Sequence, residues 1–145
     1  MCIRDRSDTV KRNVKRAQDL IIAAGGSPST DPWVVDCDSG HKSSNHMLNT
    51  SPCLTRSRYR GHWLLREGRR LSTTEMLRLQ GFNPDRVAVA VSECTLGQQV
   101  GNAMSVNVVE RILVKLLVPV GLLKKSCLKH AHDTVSYTHL RAHET

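Results

Sequence analysis

Apolar positions recur with a helical period at the two ends of the chain's interior. Val10, Val14, Ala17 and Ile21 fall on one face of the segment 7–24, with Lys11, Arg12, Lys15 and Arg16 opposite. That spacing predicts an amphipathic helix, and Gly25–Gly26 supplies its stop. Near the other end, Val106, Val109, Ile112, Leu113, Leu116 and Leu117 form a second stripe. Ser105 stands at the N-cap position of that helix, and Pro119 and Gly121 end it. Between the two, "WVVDC" (Trp33–Cys37) reads as a short strand. The polar stretch 38–52 reads as a loop, and "CLTRSRYRGHWLLREG" alternates weakly enough for an irregular strand or two. "VAVAV" (Val87–Val91) fits a strand, or a buried helix on periodicity alone. "SECTLGQQVGNAM" carries a short helix that Gly101 is expected to end.

The most sharply specified stretch is "GRRLSTTEMLRLQGFNPD", Gly68–Asp85. Ser72 is followed three residues later by Glu75, the spacing of a capping box. Leu71 and Met76 occupy the two positions of a hydrophobic staple. Gly81 follows Gln80 as a C-terminal stop, so about two turns of helix are bounded at both ends. So short a helix is marginal alone. It requires Met76, Leu77, Leu79 and Phe82 to pack on something else. "NPDR" then reads as a turn.

Composition narrows the class. The chain has 145 residues, a net charge of +8 and only 3% aromatic residues, so a core must be built from Val, Leu, Ile and Met. The excess of positive charge suits a polyanion, most simply nucleic acid; a basic surface with no dedicated partner is the plainer alternative. Five cysteines at irregular spacing, with no secretory leader, fit reduced thiols better than a disulfide framework. The longest apolar run is broken by Lys115 and Pro119 and is too short to cross a membrane.

Candidate chemistry lies in four places. Arg56, Arg58 and Arg60 alternate, so a strand would place all three on one face, with Arg66, Arg69 and Arg70 following. Arginine forks suit phosphates and guanine edges, and Tyr59 and Trp63 offer rings for stacking; a solvated charged face reads equally well. Cys37, His41, His46 and Cys53 are soft donors, but they lack the close cysteine pairs of structural zinc sites. No metal site is therefore assigned to them, nor to Cys127, His130 and His132. "SPC" (Ser51–Cys53) places a thiol beside the arginines, or is merely a strand start. In "GQQVGNAM" a Gly-Asn turn at a helix start could bring backbone N–H groups to a ligand; a plain helix–helix turn is the alternative.

Two of these pieces, in order, resemble the DNA cytosine-5 methyltransferases. "GRRLSTTEMLRLQGF" is similar to that family's ninth motif and "LGQQVGNAM" to its tenth, which leads into the last helix of the catalytic domain. "SPCLTRSRYRGHWLL" resembles the end of the target-recognition region ahead of them. The resemblance covers roughly half of the chain, from Ser51 to Val118. It implies an enzyme that moves a methyl group from S-adenosylmethionine to carbon 5 of a cytosine flipped out of duplex DNA. A thiolate attacks carbon 6 and a glutamic acid attends the ring nitrogen. Residue by residue, Asn102, Ala103 and Met104 match tenth-motif positions that help shape the S-adenosylmethionine pocket. Arg70, Ser72, Glu75, Arg78, Gln80 and Gly81 match the ninth motif, whose implied role is structural. The resemblance turns Arg56, Arg58 and Arg60 into candidate DNA contacts.

The departures matter as much. The family's nucleophile sits in "P-C-Q", with a separate "E-N-V" glutamate, well upstream of the ninth motif. Cys53 is followed by Leu54, no "E-N-V" is present, and the glycine-rich cofactor loop is missing. No catalytic residue is therefore assigned. The expected fold is an α+β fragment: the end of a target-recognition region plus the closing helices of a Rossmann-like methyltransferase domain. Its expected parts are residues 7–66 for recognition, 67–123 for the end of the catalytic domain, and a tail over 124–134. "MCIRDR" (1–6) and "VSYTHLRAHET" (135–145) resemble translated sequencing-library adapters and are set aside. Adapter at both ends implies a cut gene whose N-terminal catalytic part is missing. Such a fragment is expected to be inactive alone. A microbial parent would act in the cytoplasm at the nucleoid, a eukaryotic one in the nucleus. The alternative is a non-enzymatic basic module that binds nucleic acid.

Overall fold

The computed structural model describes residues 7–40 and 45–126. The adapter-like ends, most of the tail, and His41, Cys127, His130 and His132 lie outside the described residues. The chain is α+β, with a four-stranded antiparallel sheet placed between helices.

Helix α1 spans Asp8–Ala23, with the Ser7 hydroxyl accepting from the Val10 N–H. Gly25 (φ 82°) ends it in a Schellman arrangement: Gly26 N–H reaches the Ile21 carbonyl and Gly25 N–H the Ile22 carbonyl, both at 2.9 Å. The predicted face is buried at Val10, Ala17 and Ile21. Asn13 joins it, which hydrophobic periodicity does not foresee. Its amide donates to the Cys37 and Ser39 carbonyls, each at 2.9 Å, and so ties the helix to the chain beyond the first strand.

Strands β1 (Trp33–Val35), β2 (His46–Leu48), β3 (Trp63–Leu64) and β4 (Arg69–Arg70) lie in the order β2-β1-β3-β4. The register pairs Val34 with Leu64 and Val35 with Trp63. Successive side chains point to opposite faces. On one face Val35 and Leu65 pack with Ala17 and Ile21 of α1. On the other, Val34 and Leu64 meet Leu71, Met76, Leu77 and Val100. The sheet is thus covered on both sides, and this explains why such short strands hold together. β2 lies inside the stretch 38–52 that reads as a loop. Its three residues are mostly exposed, so it forms by pairing with β1 rather than by burial of its own.

Helix α2 spans Thr73–Leu79 and carries both halves of the capping box. Gly81 (φ 81°) ends it: Phe82 N–H bonds the Leu77 carbonyl at 3.0 Å and Gly81 N–H the Arg78 carbonyl at 2.9 Å. Met76 and Leu77 are buried, with Leu79 and Phe82 packed against them, as the short helix requires. A 3₁₀ turn follows at Pro84–Arg86. "VAVAV" is neither strand nor helix: it has no strand partner, and Val89 and Val91 are exposed.

Helix α3 covers Glu93–Asn102, capped by the Ser92 hydroxyl on the Thr95 N–H at 3.2 Å. Gly101 therefore lies within the helix and does not end it. Helix α4 covers Val106–Leu117 with Ser105 at the N-cap position, although the serine hydroxyl makes no cap bond. The apolar stripe there is largely open: Ile112, Leu113 and Leu116 are 49%, 46% and 60% exposed, and within α4 only Val114 is buried. α4 is held at its first turn, where Val106 N–H donates to the Gln80 carbonyl at 2.8 Å.

Candidate nucleic-acid interface and cofactor wall

The arginine run does not form a strand face. Arg56–Arg58 is a 3₁₀ turn, so the strand geometry that would put Arg56, Arg58 and Arg60 on one face is absent. The cause is tertiary. Gly97 and Gly101 sit one turn apart on α3, and a Cβ on either would overlap the backbone of Tyr59 or of Thr55–Arg56. Two glycines on one helix face let the turn lie directly on α3.

Each arginine has its own assignment. Arg58 Nε lies 2.8 Å from Asp36 Oδ1, close but poorly aligned for a hydrogen bond. Arg60 lies over the Tyr59 ring, 5.5 Å from its centroid, and its Nε donates to the Tyr59 hydroxyl at 3.1 Å. Arg56 is exposed. Arg66 pairs with its neighbour Glu67 at 2.9 Å. Arg69 forks onto both oxygens of Glu75 at 2.8 Å each, and Arg70 onto both oxygens of Asp38 at 2.7 and 2.8 Å. Much of the positive patch seen in the sequence is therefore consumed by the chain's own carboxylates. Trp63 is half-buried, packed against the α1-side core.

Glu75 is the hub of the ninth-motif stretch. It accepts from the Ser72 N–H at 2.7 Å and the Ser72 hydroxyl at 3.0 Å, besides the two bonds from Arg69. Burial disfavours its charge, but the bonds from Arg69 and Ser72 win and hold the carboxyl down at about 2. Gln80 joins the two motifs. Its side-chain amide donates to the Val100 carbonyl of α3 at 3.2 Å, and its own carbonyl accepts the first turn of α4. Arg78 is exposed in the last turn of α2. Gly81 lies against the Asn107 side chain.

Beneath the arginine turn is a polar cluster that sequence reading passes over. His62 is 1% exposed; its Nε2 faces the Cys53 carbonyl at 3.3 Å and its Nδ1 lies 3.9 Å from Asp36. Burial pushes its pKa below the ordinary value, against the pull of Asp36. The Cys37 thiol is fully buried and pushed up to about 11 by that burial, so it stays protonated. Cys53 is exposed, and its thiol lies 3.7 Å from the Leu54 carbonyl. His46 stacks at a tilt against Trp33, 5.7 Å between centroids. Among the described residues no three metal-ligating side chains gather, so Cys37, His46 and Cys53 are not brought together as donors.

Asn102, Ala103 and Met104 lie where α3 ends and the chain turns into α4. Asn102 is the last residue of α3, so Gly101-Asn102 is not a turn at a helix start. Ala103 is half-buried and Met104 is 65% exposed. Met104 lines one end of a groove of about 850 Å³ that runs along α4 past Val106, Val109, Glu110 and Leu113. No described helix is long and apolar enough to cross a membrane.

Gln80 thus ties helix α2 to both α3 and α4 of this α+β chain. A sequence model of the C-5 cytosine-specific DNA methylases matches residues 6–117, and the chain belongs to that family. No curated protein and no solved structure gives a match.

Proposed function

We propose that this chain is the closing part of a DNA cytosine-5 methyltransferase: the end of the target-recognition region, over 7–66, followed by the last elements of a Rossmann-like catalytic domain, over 67–123. The observation that carries the reading is the joint at Gln80, where the ninth-motif helix is bonded to both helices flanking the tenth motif. The open apolar stripe of α4 supports it, because a helix with Ile112, Leu113 and Leu116 outward has the pattern of one that packs on further structure.

S-adenosylmethionine, when bound, supplies the methyl group. Asn102, Ala103 and Met104 are the residues of this chain that would line part of its pocket. The open groove beside Met104 has an apolar wall with one carboxylate, Glu110, a composition suited to a ligand that is both apolar and cationic. The duplex is the substrate. Arg56 and Arg60, exposed on the turn, are the members of the arginine run placed to meet it, while Arg58 is the positioning residue that holds the turn to Asp36. The catalytic thiol and glutamic acid belong to the missing N-terminal part, and the chain alone is inactive.

The test is to read the parent gene upstream. A Pro-Cys-Gln followed by Glu-Asn-Val in frame is the expected result; a stop codon and an unrelated gene would overturn the reading. Transfer of labelled methyl to a cytosine-containing duplex by the chain alone would overturn the assignment of catalysis to the missing part.

A further inference from the structure

We infer that the outer face of α1, with the groove beside it, contacts the phosphates of duplex DNA. The inference rests on the methyltransferase reading above and adds to it a surface distinct from the arginine turn. Lys11, Arg12, Lys15 and Arg16 place four cations within six consecutive residues, all exposed. Their helix is fixed, not free: its opposite face is buried on the sheet and Asn13 pins it to the Cys37 and Ser39 carbonyls. Lys11 and Lys15, one turn apart, stand at the edge of a cleft of about 260 Å³ that also presents Gln18, Gly68 and the side of Trp63. Two ammonium groups about 5–6 Å apart at their Cβ atoms, with an amide between helix and sheet, suit successive phosphates of one strand.

The contrast with the arginine run sharpens the choice. Arg58, Arg66, Arg69 and Arg70 spend their charge on Asp36, Glu67, Glu75 and Asp38. On α1 Lys11 pairs with Asp8 of its own helix, at 3.4 Å and with Asp8 fully exposed, a contact that competes weakly with a phosphate. Lys11 and Lys15 are compact point charges without the planar fork that reads bases, so the edge of this cleft positions DNA through its phosphates. A membrane is the poorer partner, because α1 has buried its apolar stripe at Val10, Ala17 and Ile21, and its large exposed apolar side chains, Leu20 and Ile22, lie at its C-terminal end beyond the four cations. Single strands are poorer too, since Trp63 is half-buried against the α1-side core rather than standing clear for a base to stack on.

The experiment measures binding of a labelled duplex by the full chain as salt is raised. Neutralising two phosphate contacts with Lys11→Gln/Lys15→Gln should make the slope of log affinity against log salt shallower by about 1.8. Lys124→Gln/Lys125→Gln, at the far end of the chain, should change it less. On the unmodified chain, bound duplex should protect Lys11 and Lys15 from an amine-acylating reagent. An unchanged slope, with both lysines still reactive in the complex, overturns the inference. If the slope responds only to Arg56→Gln/Arg60→Gln, the inference fails while the methyltransferase reading stands. Absence of any duplex binding also overturns it, and leaves that reading to the upstream gene sequence. Equal affinity and the same lysine dependence with single-stranded RNA, or with phosphatidylserine vesicles, overturns duplex DNA as the partner.

Discussion

Arg70 grips Asp38 across 32 positions of sequence, through two parallel hydrogen bonds of 2.7 and 2.8 Å. A third bond, to the Gly61 carbonyl at 2.8 Å, anchors the same guanidinium to the chain entering β3. This clamp closes the loop after β1 onto the strand that leads into α2. Arg70→Met should destabilise the fold by about 2–4 kcal/mol, because it strands a half-buried carboxylate. Arg70→Lys should recover little of that loss, since an ammonium cannot fork. A double-mutant cycle with Asp38→Asn in urea should give a coupling of roughly 1.5–3 kcal/mol.

Acid should weaken the fold in two stages. His62 is depressed below its ordinary value by burial, so the unfolded chain takes up a proton that the folded chain resists. Its contribution is complete above about 6.5 and is lost as pH falls below that. Glu75 titrates near 2 when folded and near 4.5 otherwise, so its contribution is present above 4.5 and disappears between 4.5 and 2. The Glu75 stage is worth at most about 3 kcal/mol, with Arg69 partly screened by solvent. Thermal unfolding followed from pH 8 to pH 3 should show both stages. His62→Gln should remove the upper one and leave the lower.

The capping box offers a graded series. Ser72→Ala removes one acceptor from the Glu75 N–H and should cost about 1 kcal/mol. Glu75→Gln loses the charge that Arg69 and Ser72 converge on and should cost more, about 2 kcal/mol. Because α2 is so short, the loss should appear in global unfolding of the described domain rather than as fraying of one helix. Urea midpoints for the two variants, with an unchanged slope against denaturant, are the measurement.

Gly97→Ala and Gly101→Ala should each be severe, by more than about 2 kcal/mol, because a methyl group at either position meets backbone and not a movable side chain. Gly40→Ala is the control: nothing lies within 4 Å of its added carbon and its φ is ordinary. If the arginine turn is seated by these glycines, the same variants should also weaken duplex binding. Calorimetry and a binding titration together separate the two effects.

The open stripe of α4 should make the chain self-associate. Leu116→Lys should leave stability within roughly 0.5 kcal/mol, since the side chain is 60% exposed, while lowering the apparent mass at high concentration. Val114→Lys should instead unfold the region, because Val114 is buried. Sedimentation at several concentrations distinguishes these outcomes.

Local chemistry was legible wherever neighbours in sequence are also neighbours in space. Ser72 and Glu75, Gly81 after Gln80, the face of α1 and the turn at Asn83–Pro84 all follow from spacings of four residues or fewer, and the structure has them as read. The family was legible for the same reason, since the strings that resemble it are short and continuous, and the family model matches residues 6–117.

What the sequence could not determine depends on partners far along the chain. Alternation made a strand of Arg56–Arg60, but two glycines some forty residues later, Gly97 and Gly101, bring α3 against that backbone and wind it into a turn. β2 exists because β1 offers it an edge, and no local pattern of His46–Leu48 announces that. Asn13 reads as a polar interruption until the Cys37 and Ser39 carbonyls arrive above it. The arginine charges could be counted from the sequence, yet only the fold decided which are neutralised. Pairing needs a carboxylate within a few ångströms, and Asp36 and Asp38 come that close only when the sheet is assembled.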